Sequence, residues 1–205
     1  MAKSAADLVS WRGWDLRTGT HADPRAAETF EGSAPTYPSS ETRYELIAVA
    51  ARGFHPPQFL TASAAGEGDS TKDEYPGLRQ VWAVLYHQIA ETTPVTERPY
   101  AIYLLGVNPP PDLSAQELAA FNDFYTNVHL VEVAERRHAL RAVRFELVEE
   151  LQAPYLGAPR FLATYEVDEK SASQRRHVGP PYSPGPDVWQ RHTTPWRLWY
   201  RRLGS

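Results

Sequence analysis

The sequence contains no cysteine and only one methionine in 205 residues. Disulfide bonds, thiolate nucleophiles and cysteine-ligated metal sites are therefore excluded, and the composition suits a cytoplasmic protein. A net charge of -4 argues against nucleic acid as a partner. The first residues hold no apolar run long enough for a signal peptide or a membrane span, so we expect no membrane partner either.

Several motifs that mark common enzyme classes are also missing. The chain has no phosphate-binding loop, no G-x-G-x-x-G, no H-E-x-x-H and no nucleophile elbow. Its seven histidines are scattered without the spacing of metal ligands. We therefore expect no metal and no cofactor. The six tryptophans and eleven tyrosines either fill a core or line a cavity for an apolar or aromatic ligand.

One pattern occurs twice in the chain. The motif R-aromatic-E-L-aliphatic at 43–47 is followed after a loop by P-polar-F-L at 57–60, and the same two motifs return at 144–148 and 159–162. Each copy predicts a strand–loop–strand hairpin, and two copies at this spacing favour a duplicated domain. Chance similarity between two β-rich hairpins is the alternative.

Hydrophobic periodicity predicts the elements around these hairpins. Strands are expected at 8–16, 43–51, 58–63, 98–107, 140–148, 160–167 and 196–203, and helices at 26–30, 75–90 and 115–136. Ser114 with Glu117 forms a capping box before the last helix. Segments 1–41 and 171–194 are otherwise irregular, and the polar loop 66–70 is expected to be mobile.

The order of elements in the second half indicates a fold class. Strand, helix, strand, strand, irregular or helical segment, strand is the ferredoxin-like plan with a degraded second helix. The first half keeps the central hairpin and one predicted helix. The sequence therefore predicts an α+β fold with a divergent ferredoxin-like half at 1–97 and a second half at 98–205.

Residues 121–132, FNDFYTNVHLVE, resemble a helix of the EthD-like proteins, which has the form F-x-x-[WY]-[WY]-x-x-x-H-x-P. Val131 stands where that family usually has proline. Segments 142–147 and 159–166 also resemble the group, so the resemblance covers about 98–167. It implies a dimeric α+β barrel of two antiparallel sheets with helices outside and a pocket between sheet and helices. The chain would then be a monomeric pseudo-dimer or a homodimer.

The same helix carries the candidate catalytic residues. At three- and four-residue spacing, one side is polar: Asn122, Tyr125, His129 and Glu132. Histidine can move a proton near neutral pH, tyrosine can donate to an oxyanion and asparagine can orient a carbonyl. We predict His129 as general base or acid, Tyr125 as its partner and Asn122 as an orienting group. The alternative is a stripe at the solvent edge, with His129 bonded to a backbone carbonyl.

Six further residues are predicted to bind the substrate: Arg43, Trp82, Tyr103, Arg144, Glu146 and Trp199. Arginine and glutamate two apart on a strand share a face, so the repeated strands present an ion-paired polar lining or, alternatively, a paired rim where the sheets meet. His87 is a second pocket histidine or a surface residue. His177 and His192 either gate a pocket or are solvated.

The family resemblance implies a small-molecule substrate. Its members include cofactor-free monooxygenases, polyketide cyclases, lactone isomerases and haem enzymes. The leading hypothesis is a cofactor-independent cyclase, lyase or isomerase that transfers a proton on a small aromatic or polyketide-like molecule. An oxygen-dependent monooxygenase, or a haem enzyme with His129 or His87 as axial ligand, is the second hypothesis. A non-catalytic binding or accessory protein is the third.

Overall fold

The computed structural model describes residues 8–16, 42–49, 56–64, 78–92, 98–152, 157–174 and 181–203. The strands are β1 Leu8–Leu16, β2 Thr42–Val49, β3 Phe59–Ala64, β4 Leu78–Glu91, β5 Ala101–Asn108, β6 Arg141–Gln152, β7 Phe161–Val167 and β8 Thr193–Arg202. All neighbours are antiparallel. They form one closed barrel in the order β1-β3-β2-β8-β5-β7-β6-β4.

One long helix and two short ones lie between the strands of the second half. The long helix runs as α1 Ala115–Phe124, a π-helical turn Tyr125–His129 and α2 Leu130–Arg136; the short ones are α3 Glu169–Ser173 and α4 Asp187–Gln190. The predicted capping box is confirmed, because the Ser114 hydroxyl accepts from the Glu117 N–H at 3.2 Å and the Glu117 carboxylate accepts from the Ser114 N–H at 2.9 Å.

The predicted α+β ferredoxin-like fold class is wrong. The described residues form a closed eight-stranded antiparallel barrel, with 54% of them in strands and 23% in helices. The largest single error is the helix predicted at 75–90, which is strand β4. Its apolar residues also fit helical spacing, because β4 carries apolar residues on its outward face, such as Leu85 and Ile89, as well as on its inward face. Trp82, Val84 and Tyr86 alternate into the barrel, as β spacing requires.

The other strands were predicted within a few residues of their observed ends. The helix predicted at 26–30 and the loop at 66–70 lie outside the described residues. The described parts of 171–194 contain the last residues of α3, all of α4 and the first residues of β8. The division into halves at 97 and 98 stays a prediction, although β2 pairs with β8 and β4 pairs with β6 within one closed sheet.

Large side chains fill the barrel interior. The buried members of this inner cluster are Trp11, Tyr44, Leu60, Trp82, Val84, Tyr86, Ile102, Leu104, Val143, Phe145, Leu162, Trp196, Leu198 and Tyr200. Trp82 and Trp196 stack at 4.6 Å between ring centroids and 17° between planes. Stacking of two indoles stabilises the fold beyond what the buried area of the two rings contributes. The stack thus joins β4 and β8 across the lumen.

The two halves make matching contacts at this end of the barrel. The Tyr86 hydroxyl donates to the Pro159 carbonyl at 2.7 Å, and the Tyr200 hydroxyl donates to the Pro57 carbonyl at 2.9 Å. The strand orders also match, β4-β1-β3-β2 in one half and β8-β5-β7-β6 in the other. The repeated hairpins therefore occupy equivalent places in the barrel.

Glycine is required where each proline packs against a strand. A Cβ on Gly13 would lie 2.5 Å from Pro57 Cγ, and a Cβ on Gly106 would lie 2.6 Å from Pro159 Cγ. No ordinary side chain fits at these distances without moving the proline. This close approach brings the carbonyls of Pro57 and Pro159 within reach of the two tyrosines.

A second core lies outside the barrel, between the long helix and the outer faces of β5 and β7. Helix residues Phe121, Tyr125 and Leu130 pack there against Phe161 and Tyr165 from the strands. None of the described helices is long and apolar enough to cross a membrane. The long helix packs against the outside of the sheet, and the candidate site lies at this contact.

We expect Tyr86→Phe and Tyr200→Phe each to lower the free energy of unfolding by about 1–2 kcal/mol, since each leaves a buried carbonyl without its donor. Urea denaturation checks this. Tyr100→Phe, at a tyrosine that is 38% exposed, is the control and should change little. Unequal losses at the two buried tyrosines would contradict their equivalence.

Candidate functional site

The long helix contains a π-helical turn at its centre. The Leu130 N–H donates to the Tyr125 carbonyl, five residues back, over the turn Tyr125–His129. Such turns are rare and occur often at functional sites, because they shift the side chains of one turn relative to the rest of the helix. Here the turn begins and ends with two of the three residues predicted to be catalytic, Tyr125 and His129.

A buried arginine from β6 supports this turn. Arg144 is 1% exposed and donates to the Asn122 carboxamide oxygen at 2.5 Å and to the Thr126 hydroxyl at 2.8 Å. Its guanidinium lies over the rings of Tyr125 at 4.3 Å and Phe161 at 4.4 Å. Burial lowers the pKa of Arg144 to about 10. The cation is thus stabilised by ring faces and neutral acceptors beneath the helix.

A cavity of about 370 Å³ lies between the long helix, segment 181–192 and the outer face of β5 and β8. We name it the outer cavity. It is lined by Tyr103, Leu105, Val107, His129, Val133, Arg137, Tyr182, Ser183, Pro184, Trp189, Gln190, His192, Thr194 and Arg197. Its volume is in the range of small-molecule sites, and its lining joins aromatic rings to two imidazoles and two guanidinium groups.

Trp189 of α4 is the centre of the aromatic wall. Its ring lies 4.6 Å from His129 and 4.2 Å from His192, the latter stacked at 28°. Phe121, Phe124 and Tyr125 surround the same indole at 5.0–5.2 Å. The His192 ring is fixed in turn by a 2.5 Å contact of Nδ1 with the Trp189 carbonyl. Both histidines therefore contact the same buried tryptophan.

His129 is neutral over a wide range of pH. Burial, and then the charge of His192, lowers the pKa of His129 to about 4. Its Nδ1 is buried and has no hydrogen-bond partner among the described residues. The His129 ring lines the outer cavity, where a bound ligand can contact it. A neutral imidazole in this position can accept a proton.

Segment 181–186 covers one side of the outer cavity and is attached to the long helix. The Glu132 carboxylate accepts hydrogen bonds from the Ser183 N–H, at 3.1 Å, and from its hydroxyl. Arg136 donates to the Pro181 carbonyl at 3.1 Å, and its guanidinium lies 4.2 Å from the Tyr182 ring centroid. Burial would raise the pKa of Glu132, but the Ser183 hydrogen bonds outweigh it and the pKa is lowered. The carboxylate thus stays charged to anchor the segment.

The floor of the outer cavity carries the cations. The Arg137 guanidinium lies 4.1 Å from the Tyr103 ring centroid and 5.3 Å from that of Trp199. Tyr103 and Trp199 themselves stack at 4.9 Å. Arg197 also lines the cavity, from an exposed position on β8. These groups can stabilise negative charge on a bound molecule.

The structure brings some predicted site residues together and separates others. His129 and Tyr103 line the outer cavity, and Trp199 lies directly behind Tyr103. Tyr125 contacts the His129 ring at 5.8 Å but is fully buried, and its hydroxyl has no partner among the described residues. Burial raises the pKa of Tyr125. Asn122 contacts Arg144 rather than the cavity.

The remaining predicted substrate-binding residues lie elsewhere. Glu146 on β6 pairs with Arg160 at 3.5 Å, and the related Glu45 pairs with Arg201 at 2.6 Å. Trp82 is in the barrel interior, stacked on Trp196. Arg43 lies on β2, at the position that matches Arg144 in the repeat. The catalytic and binding roles assigned to all these residues stay predictions.

Sequence reasoning did not select several residues that line the outer cavity. Arg137 lies at the basic C-terminal end of the predicted helix. A positive side chain there is ordinarily explained by its interaction with the helix dipole. Tyr182 lies in an irregular, proline-rich stretch with no periodic signal, and Arg197 lies in the predicted strand 196–203 as one of its polar residues. His192 was considered as a gating residue, and Trp189 only as part of an aromatic group that core packing also explains. Their shared cavity depends on how segment 181–192 folds back onto the long helix.

No group of three or more potential metal ligands is found within the described ranges. No protein-family model matches the sequence, and a search of curated proteins finds no match. The site must therefore be understood from its own geometry.

We expect stability to depend on pH through His129. A histidine with a pKa near 6.5 when unfolded and about 4 when folded binds its proton more readily in the unfolded chain. Lowering the pH from 7 to 4 should therefore cost about 3 kcal/mol of unfolding free energy through this residue. Urea denaturation at both pH values of the wild type and of His129→Gln, which lacks this titration, measures the difference. Equal losses in the two proteins would contradict the assignment.

We expect Glu132→Ala to release segment 181–186. The Ser183 amide donates to a carboxylate, and losing such a bond should speed its hydrogen exchange by about tenfold or more. Amide exchange followed by NMR checks this, with Glu135→Ala on the same helix as the control. Unchanged exchange at Ser183 in Glu132→Ala would show that other contacts hold the segment.

Proposed function

We propose that the outer cavity is the active site of a cofactor-independent enzyme, a cyclase, lyase or isomerase that transfers a proton on a small aromatic or polyketide-like molecule. The observation that carries the proposal is the neutral, largely buried His129 imidazole in the wall of a cavity of about 370 Å³. The resemblance of residues 121–132 to the EthD-like helix supports the same histidine. A cytoplasmic setting suits a chain without cysteine.

The lining of the outer cavity favours a planar substrate that can carry negative charge. Tyr103, Tyr182 and Trp189 offer ring faces or edges to an aromatic molecule. Arg137 and Arg197 offer donors for a carbonyl or phenolate oxygen. Burial, opposed mainly by the charge of Arg137, raises the pKa of Tyr103, so its phenol stays protonated. The same floor can thus hold a ring and an oxygen next to it.

The proposed reaction begins with proton removal from carbon. His129 Nε2 takes a proton from a carbon next to a carbonyl, and the electron pair moves onto the carbonyl oxygen to form an enolate. Arg137 stabilises that oxyanion by its fixed positive charge in the wall of the outer cavity. The imidazolium then returns the proton to another carbon or to a leaving oxygen. A low pKa makes this return favourable.

Tyr125 and Asn122 act indirectly in this proposal. Tyr125 presents its ring to His129 and accepts the Arg144 cation on one face. Asn122 holds Arg144 in place through its side-chain oxygen. Both residues would therefore position the π-helical turn, and through it His129, rather than touch the substrate.

We expect the wild type to exchange acidic C–H hydrogens of aromatic 1,3-dicarbonyl compounds with solvent deuterium, followed by proton NMR. His129→Gln should slow this exchange by about 10²–10⁴-fold, the usual contribution of a general base. His87→Gln, outside the cavity, is the matched control and should keep the wild-type rate. Binding of these compounds without exchange in the wild type would instead indicate a non-catalytic binding protein.

A further inference from the structure

Among the described residues, one end of the barrel is filled and the other end contains a cavity. The Trp82–Trp196 stack and the two tyrosine–proline hydrogen bonds occupy the filled end, near Gly13 on β1. At the opposite end a cavity of about 250 Å³ enters the lumen, and we name it the barrel mouth. It is lined by Leu8, Val9, Thr42, Tyr44, Ala62, Ser63, Ala64, Gln88, Arg141, Val143, Phe145, Thr164 and Glu166. None of these residues lines the outer cavity.

The internal repeat differs between the two ends. At the filled end the equivalent residues are identical: Gly13 and Gly106, Pro57 and Pro159, Trp82 and Trp196, and Tyr86 and Tyr200. At the barrel mouth, the repeat aligns Ala62 with Thr164 and Ala64 with Glu166. Packing accounts for the identical end. The other end has small residues on one wall and polar residues on the facing wall, which makes an asymmetric pocket.

The polar wall comes from β6 and β7. Arg141 pairs with Glu91 at 2.6 Å and lies 3.9 Å from Glu166. The Glu166 side chain is 15% exposed. Burial, opposed by Arg141 and Arg202, raises its pKa. Within the described ranges, that carboxylate accepts no hydrogen bond. A half-buried carboxylate beside a cavity, with Arg141 at 3.9 Å as its charged partner, is a place for a ligand donor.

The other walls combine apolar residues with Thr42, Ser63 and Gln88. Val9, Ala62 and Ala64 leave space on β1 and β3, while Tyr44 and Phe145 form a deeper aromatic surface. The volume is below that of sites for drug-sized ligands, so the barrel mouth suits a molecule with a single ring. Such a molecule would place its ring on the aromatic surface and its polar end near β7.

The charges near the barrel mouth favour a neutral ligand. Arg141 is matched by Glu91, and the charge of Arg202 acts on Glu166. An additional buried charge would have no counterion left among the described residues, and burying it would be costly. A neutral group with an N–H donor next to a carbonyl acceptor adds no charge. It matches the acceptor Glu166 and the donors Gln88 and Thr164.

We propose that the barrel mouth is a second binding site, for a small neutral aromatic carboxamide or lactam. The ligand N–H donates to the Glu166 carboxylate, its carbonyl accepts from Gln88 or Thr164, and its ring packs on Tyr44 and Phe145. This site is independent of the proton-transfer reaction proposed for the outer cavity, and either can be wrong without the other.

Titration of the ¹⁵N-labelled full chain with benzamide tests the proposal. We expect the backbone resonances of Thr42, Ala62 and Thr164 to shift, and the charged analogues benzylamine and benzoate to bind more weakly. Glu166→Met removes the acceptor and should raise the dissociation constant by about tenfold or more. Glu166→Gln keeps a side-chain oxygen acceptor and should retain binding. Comparing the two variants separates the effect of losing the charge from the effect of losing the acceptor.

Two further variants locate the site. Ala62→Leu fills the barrel mouth from the apolar wall and should abolish the shifts, with the fold confirmed by the remaining spectrum. His129→Gln alters only the outer cavity and should leave benzamide binding unchanged. The proposal is overturned if a charged analogue binds more tightly, if benzamide shifts only resonances around Trp189, or if it shifts none.

Discussion

Strand β4 has hydrogen-bonded neighbours on both of its edges, β1 on one side and β6 on the other, and this double pairing closes the sheet. Closure removes the open edges on which strands of other chains could pair. It also forces alternate residues of all eight strands into one lumen, which the stacked indoles of Trp82 and Trp196 fill at one end. With the inside occupied, the outer faces of β5, β7 and β8 are left to pack against the long helix and segment 181–192.

Strand β7 shows how one wall can serve two cavities. Ala163 and Tyr165 point outward into the core beneath the long helix, while Thr164 and Glu166 point inward to the barrel mouth. Alternation along a strand makes this separation unavoidable. The two cavities therefore differ in chemistry although they share a strand: the outer one has imidazole and guanidinium groups among rings, and the inner one has a carboxylate among small residues.

Arginine side chains lie over aromatic rings at several places around the outer cavity. Arg136 lies over Tyr182, Arg137 over Tyr103, and Arg144 between Tyr125 and Phe161. A guanidinium is weakly hydrated and planar, so it can stack on a ring at a smaller desolvation cost than an ammonium group. These contacts connect the long helix with segment 181–192 and with the sheet. Among the charges that act on His129, the Glu132 carboxylate raises its pKa, but burial and the charge of His192 outweigh it.

Local patterns in the sequence were enough for most strands and for the long helix with its Ser114–Glu117 cap, because each depends on residues close in the chain. Local patterns could not predict the fold class. Residues 78–91 fit helical and strand spacing alike, and only pairing with β1 and β6, distant in sequence, decides between them. Tertiary structure likewise decided that Asn122 serves Arg144 and that Arg137, Trp189 and His192 join His129 at one cavity. Such contacts arise from burial of surfaces brought together by folding, and no local period encodes them.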